Sequence, residues 1–136
     1  MVLRIKTEYG RSTMPRRILV TGGRDNYDWL TVDKAIWEHL KQGDIIVHGA
    51  ASGIDSLCAQ TAKYNPDFFT HDPFPADWDT HGKAAGGIRN QAMIDSGIQG
   101  ALVFAGGSGT KDCLTRIIAA GIKWYDYSGY WGGKPK

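Results

Sequence analysis

A chain of 136 residues, 42% hydrophobic and 22% charged, suits one domain with a real core and is too short for two. No apolar run approaches the roughly 18 residues that would span a bilayer, and the N-terminus lacks a secretory apolar stretch, so a cytoplasmic protein is expected. The net charge of +2 is uneven: residues 1–17 and 134–136 carry a surplus of six positive charges, which leaves the body between them four negative. A broad phosphate-backbone footprint would instead gather Lys and Arg on the folded surface, so long nucleic acid is disfavoured as the main partner.

Residues 1–15 show no sustained periodicity and read as an N-terminal extension, disordered or adding an edge strand over residues 2–6. The domain is expected over residues 16–127. Its first strand is the apolar run RILV (17–20), followed by the loop TGGRDNYD. Trp29, Val32, Ile36 and Leu40 repeat at helical spacing, with Asp28 placed to cap that helix. A second strand, DIIVHG (44–49), leads into a helix whose Ile54, Leu57, Cys58 and Ala62 share one face. DFFTHDPF (67–74) reads as a third strand stopped by proline, and GGIRNQAMIDSG (86–97) as a helix ended by glycine. ALVFA (101–105) is a fourth strand. Cys113, Leu114, Ile117 and Ile118 stripe the next helix, Gly121 closes it, and IKWYDY (122–127) is a fifth strand. Residues 128–136, rich in Gly and Lys, read as a flexible tail. Cys58 and Cys113, far apart in helical patterns, are expected as buried free thiols.

Short continuous apolar strands alternating with helices predict a mostly parallel five-stranded sheet covered on both faces, a doubly wound Rossmann-like α/β domain. Such sheets bind ligands beyond the carboxyl ends of their strands, and three Gly-containing turns fall there. The first holds Thr21, Gly22, Gly23 and Arg24. The second holds His48, Gly49, Ser52, Gly53 and Asp55. The third holds Gly106, Gly107, Ser108, Gly109, Thr110 and Asp112. Each enters a helix N-terminus, where free N–H groups and the helix dipole favour an anion. Neither the Walker spacing nor an intact G-x-G-x-x-G is present. One such loop could equally be a tight corner, whereas three converging on one edge favour a phosphate cradle.

The segments ILVTGGRD, IIVHGAASGIDSLCAQTA, ADWDTHGKAAGGIRNQAMIDSG and LVFAGGSGTKD together resemble the YspA/YpsA-related branch of the SLOG superfamily, over about residues 16–126. That superfamily also holds the LOG phosphoribohydrolases and the DNA-processing protein DprA. The resemblance implies a Rossmann-like fold, a pocket for nucleotides or nucleotide-derived ligands and, through the LOG proteins, a homodimer. GAASGID resembles a segment of DprA, which binds single-stranded DNA. GGSGTKD resembles the LOG motif P-G-G-x-G-T-x-x-E, whose members cleave the N-glycosidic bond of nucleoside monophosphates. Gly106, Gly107, Gly109 and Thr110 match that motif, Arg89 matches an arginine of the LOG site, and Asn90 replaces the lysine that follows it. Ala105 stands for the proline and Cys113 for the glutamate; the nearest carboxylate, Asp112, is one residue earlier and about 100° around the helix.

Asp112 and Arg89 are therefore the candidate catalytic pair, with Asp55 a second carboxylate; hydrolysis would need one to support an oxocarbenium-like sugar or activate water. Helix capping or binding of a ligand hydroxyl is preferred for both acids over general-base work. Thr21, Gly22, Gly23, Arg24, Gly49, Ser52, Gly53, Asp55, Asn90, Gly106, Gly107, Ser108, Gly109 and Thr110 are the candidate ligand-binding residues. His48 reads as a positioned loop residue, and Trp78 as either a stacking surface or a lid or dimer contact. His71, Asp72, Asp77, Asp79 and His81 match no metal-site spacing, so no metal is expected, and no cofactor is required beyond a nucleotide as ligand or substrate. The leading expectation is a nucleotide-binding sensor, sequestering protein or accessory component. The alternatives are a phosphoribohydrolase acting on nucleoside 5'-monophosphates and a DprA-like single-stranded DNA-binding module.

Overall fold

The computed structural model describes residues 15–129 and 131–132; the expected N-terminal extension, with its edge strand over residues 2–6, and the end of the tail lie outside these residues. Five strands, β1 (Arg17–Thr21), β2 (Ile45–His48), β3 (Thr70–Pro73), β4 (Gly100–Val103) and β5 (Trp124–Asp126), form one sheet in the order β3-β2-β1-β4-β5, every pair parallel. Helices α1 (Trp29–His39), α2 (Ile54–Tyr64), α4 (Ala85–Asp95) and α5 (Ser108–Ala119) link them, with a four-residue α3 (Trp78–His81) and a 3-10 turn (Gly82–Ala84) before α4.

The period of two along each strand divides the core between the faces of the sheet. Ile18, Val20, Ile46 and Leu102 pack with Val32 and Ile36 of α1 and Ile54, Cys58 and Ala62 of α2. Leu19, Val47, Ala101 and Val103 pack with Met93 and Ile94 of α4 and Cys113, Leu114 and Ile117 of α5. Both cysteines are buried free thiols. As expected, the sheet is parallel and doubly wound.

The chain runs outward from β1 to β2 and β3, then crosses to β4 on the other side of β1. The β1/β4 boundary is therefore the topological switch point, where the loops after the two strands part and open a crevice. The third strand and one short helix depart from the sequence reading. Phe69, inside the expected third strand, is a core residue at 2% exposure, and the strand begins at Thr70. Helix α3 has no sequence counterpart above; Asp77 caps it by accepting from the Thr80 N–H at 3.1 Å. At the other end, Asp126 accepts from the backbone N–H groups of Ser128 (2.8 Å) and Trp131 (2.8 Å), and the Trp131 indole N–H donates to the Phe104 carbonyl at 3.0 Å. Among the described residues no helix is long and apolar enough to cross a membrane.

Candidate functional site

The crevice at the switch point is a cleft of about 1160 Å³. It gathers Thr21, Gly22, Gly23 and Arg24 after β1, Gly49 and Asp55 after β2, Arg89 and Asn90 from α4, and Gly107, Ser108, Gly109, Thr110 and Asp112 from α5. Of the residues expected at the site, Ser52, Gly53 and Gly106 do not line it. The Ser52 hydroxyl donates to the Arg24 carbonyl at 3.0 Å. Gly53 has φ +71, and a Cβ there would stand 2.6 Å from the Arg24 carbonyl oxygen, so both backbone conformation and close approach demand glycine. Gly106 lies against Thr110 and the Gly23 N–H.

The loops are stitched together at Gly23. Its N–H donates to the Ala105 carbonyl at 2.8 Å, and its own carbonyl accepts from Ile54, the first residue of α2, at 3.2 Å. The second loop closes on itself. Asp55 Oδ2 accepts from the N–H groups of Gly49 (3.1 Å) and Ala51 (3.3 Å), so a carboxylate of the protein already occupies the anion position there. Burial pushes Asp55 up to about 6, against the pull of those N–H groups and the Arg89 charge.

The α5 end is different. Its N-cap is Gly107, which has no side chain to bond the helix N–H groups, whereas Asp28 caps α1 at 3.2 Å and Asp77 caps α3. A Cβ at Gly107 or Gly109 would meet nothing within 4 Å, and neither residue has a positive φ. Packing does not explain these two glycines; both line the cleft. Of the three expected anion cradles, this one remains open to a ligand.

Arg89 lies across the cleft floor. Its Nη1 donates to the Gly49 carbonyl and, at 3.4 Å, to that of Phe74, while Nε donates to Asn90 Oδ1 at 2.9 Å. Desolvation lowers its pKa, and among the described residues no carboxylate forms an ion pair with it. The Asn90 amide in turn donates to Asp112 Oδ2 at 3.0 Å and, more weakly, to the Gly109 carbonyl at 3.4 Å.

Asp112 is engaged elsewhere. Arg116, one turn on, holds it with Nε at 2.9 Å and Nη2 at 3.3 Å, and that bond with Asn90's keeps its pKa below the ordinary carboxylate range. It is a poor proton acceptor in that state. Cys113 has no exposed surface; burial raises its thiol to about 11, and Thr21 is its hydrogen-bond partner. Arg116 escaped the sequence reading, although its i,i+4 spacing from Asp112 was visible. Lys83, Gly86 and Gly87, at the entry to α4, also line the cleft and were missed.

His48 is a positioned residue, as its place in the loop suggested. The Ala50 N–H donates to its Nδ1 at 3.0 Å, so the ring proton sits on Nε2 and points to His71 Nδ1 at 2.8 Å. Burial, with His71 and Arg89 nearby, lowers its pKa to about 4 and keeps it neutral. Ala50 takes φ +57, a left-handed conformation that L-residues rarely adopt. Three of the five residues weighed above as metal ligands make protein contacts: His71 with His48, Asp72 with Arg17 at 2.9 Å, and Asp77 as a helix cap.

No protein-family model matches the chain. The fold is shared with DNA processing protein A (DprA) from Streptococcus pneumoniae, at a TM-score of 0.64 and 18% identity over 82% of this chain. The chain spans half the length of that protein. In sequence it is 36% identical, over 115 residues, to the Gene 61 protein of Mycobacterium phage D29, covering 79% of this chain and 92% of that one. Across nearly the whole of that relative, the chain belongs to the family of the phage Gene 61 protein.

Proposed function

We propose that the cleft binds a nucleotide or nucleotide-derived small molecule, with a phosphate at the N-terminus of α5, and that the protein acts as a sensor, sequestering protein or accessory component. The observation that carries this reading is the start of α5, where no side chain caps the helix and Gly107 and Gly109 line the same cleft as Arg89, whose guanidinium forms no ion pair among the described residues. Membership of the YspA/YpsA-related branch of the SLOG superfamily and a homodimer are part of the same proposal.

A hydrolase reading rests on Asp55, the cleft carboxylate raised to about 6 and so suited to proton transfer near neutrality. It is weaker because Asp55 is 7% exposed and spends its Oδ2 on two backbone N–H groups, while Asp112 is held by Arg116 and Asn90. A single-stranded DNA reading draws on the fold likeness to DprA.

Calorimetric titration with nucleoside 5'-monophosphates, paired with chromatographic detection of free base, separates the first two readings. We expect saturable binding without base release. Release that disappears in Asp55→Asn or Asp112→Asn would replace binding with hydrolysis. Tight, strongly salt-dependent binding to single-stranded oligonucleotides would favour the third reading.

A further inference from the structure

Trp78 stands at the cleft mouth with 47% of its surface exposed, on a helix that buries none of its residues. It therefore holds no core together. Its neighbour in the first turn of α4 is Gly86, where a Cβ would stand 3.5 Å from the indole Cη2, so the ring edge at Cη2 lies near a residue without a side chain. Over the ring lies Arg24, its guanidinium carbon 5.1 Å from the centroid. Arg24 comes from the loop after β1 and Trp78 from the segment after β3, so the pair joins two separate segments that line the cleft. Among the described residues Arg24 makes no ion pair with a carboxylate.

We infer that Trp78 is the residue that recognises the planar base of the ligand, with Arg24 as its movable counterpart; this rests on the nucleotide reading above. An indole face and a guanidinium plane both stack on heteroaromatic rings, which need no hydrogen-bond match to do so. The present gap is too narrow to admit one: a flat ring between two planes needs about 7 Å, two contacts of about 3.5 Å each. The base therefore displaces Arg24 or lifts it by about 2 Å. Arg24 leaves the indole as a cation already inside an anion-binding cleft. Stacking at Trp78 is thus coupled to charge supplied to the phosphate, and the site selects compounds that carry both a base and a phosphate.

The test compares two probes on the full chain by titration calorimetry: adenosine 5'-monophosphate, and ribose 5-phosphate, which lacks the base. The wild type is expected to prefer the nucleotide by about tenfold or more, the range of one base-aromatic stack. Trp78→Ala is expected to erase most of that preference, and Trp78→Phe to restore part of it. Because α3 buries nothing, circular dichroism and thermal melting of both variants should match wild type. A preference that survives in Trp78→Ala would overturn the assignment of Trp78 and leave the nucleotide reading standing. Equal binding of the two probes by wild type would also overturn it, leaving a phosphate site alone. Binding of neither probe would remove the nucleotide reading, and this inference with it.

Discussion

Arg89 and Gly49 are built against each other: the guanidinium Nη1 donates to the Gly49 carbonyl, and a Cβ on Gly49 would overlap that same group. The arginine is thereby fixed on the cleft floor by a residue whose lack of a side chain makes the space. Gly49→Ala is expected to push Arg89 out of this seat. It should cost about 1.5–3 kcal/mol of stability, the range for a hydrogen bond to a charged group, and weaken ligand binding. Chemical denaturation and calorimetry of the same preparation check both effects.

Gly109 separates stability from function. It lies inside α5, in open space, without a positive φ. Gly109→Ala should therefore stabilise the fold, by about 0.5–1 kcal/mol from helix propensity, while the new methyl group stands where a phosphate would approach. A rise in melting temperature with a fall in nucleotide affinity is the expected pair of results. Unchanged affinity would move the phosphate away from this turn.

Asp112 should prove dispensable for binding. Its bond with Arg116 is a partly exposed i,i+4 pair, of a kind that contributes about 0.3–0.5 kcal/mol. Asp112→Asn is expected to melt close to wild type and to bind nucleotide within about threefold of it, less than 1 kcal/mol. A hundredfold loss in binding would mean that the carboxylate touches the ligand.

The stability of the protein against pH should be nearly flat between pH 4 and 6 because two buried groups oppose each other. Asp55 has a folded pKa of about 6 against 3.8 for the ordinary carboxylate, so its contribution is present below the unfolded value and is lost as pH rises towards 6. His48 has a folded pKa of about 4 against 6.5, so its contribution is present above 6.5 and is lost as pH falls. Each amounts to about 3 kcal/mol at 1.36 kcal/mol per unit. Asp55→Asn should unmask a stability that climbs with pH across this window, and His48→Gln one that declines. Urea unfolding from pH 4 to 7 reads both slopes, and parallel curves for the two variants would contradict the assignment.

The sheet was legible in the sequence because its central strands are short apolar runs with abrupt polar ends, as in RILVT and DIIVHG. The third strand was placed three residues early because Phe68 and Phe69 look like strand residues. Phe69 instead fills the core beside Trp37, with ring centroids 5.0 Å apart, before the strand begins. Helix α3 was invisible because four residues are too few for a periodicity. The turns that line the cleft were legible, since glycine-bearing turns at strand ends say where the backbone must bend. They do not say which turn is already satisfied. That the second cradle is filled depends on Asp55 folding back to Gly49 and Ala51, a contact between the first turn of α2 and the loop before it that composition cannot reveal.

The strand order puts β3 at one border of the sheet, and that border is poorly suited to recruit another chain. Its four residues are Thr70, His71, Asp72 and Pro73, largely exposed and polar. Asp72 is drawn down to Arg17 and His71 to His48, and the proline offers no N–H where the strand stops. An incoming strand would find a short ladder with charged, already engaged side chains, a common guard against edge-to-edge aggregation. A second copy of the protein is therefore not expected to add a strand at this border; the opposite border, formed by β5, is a separate edge.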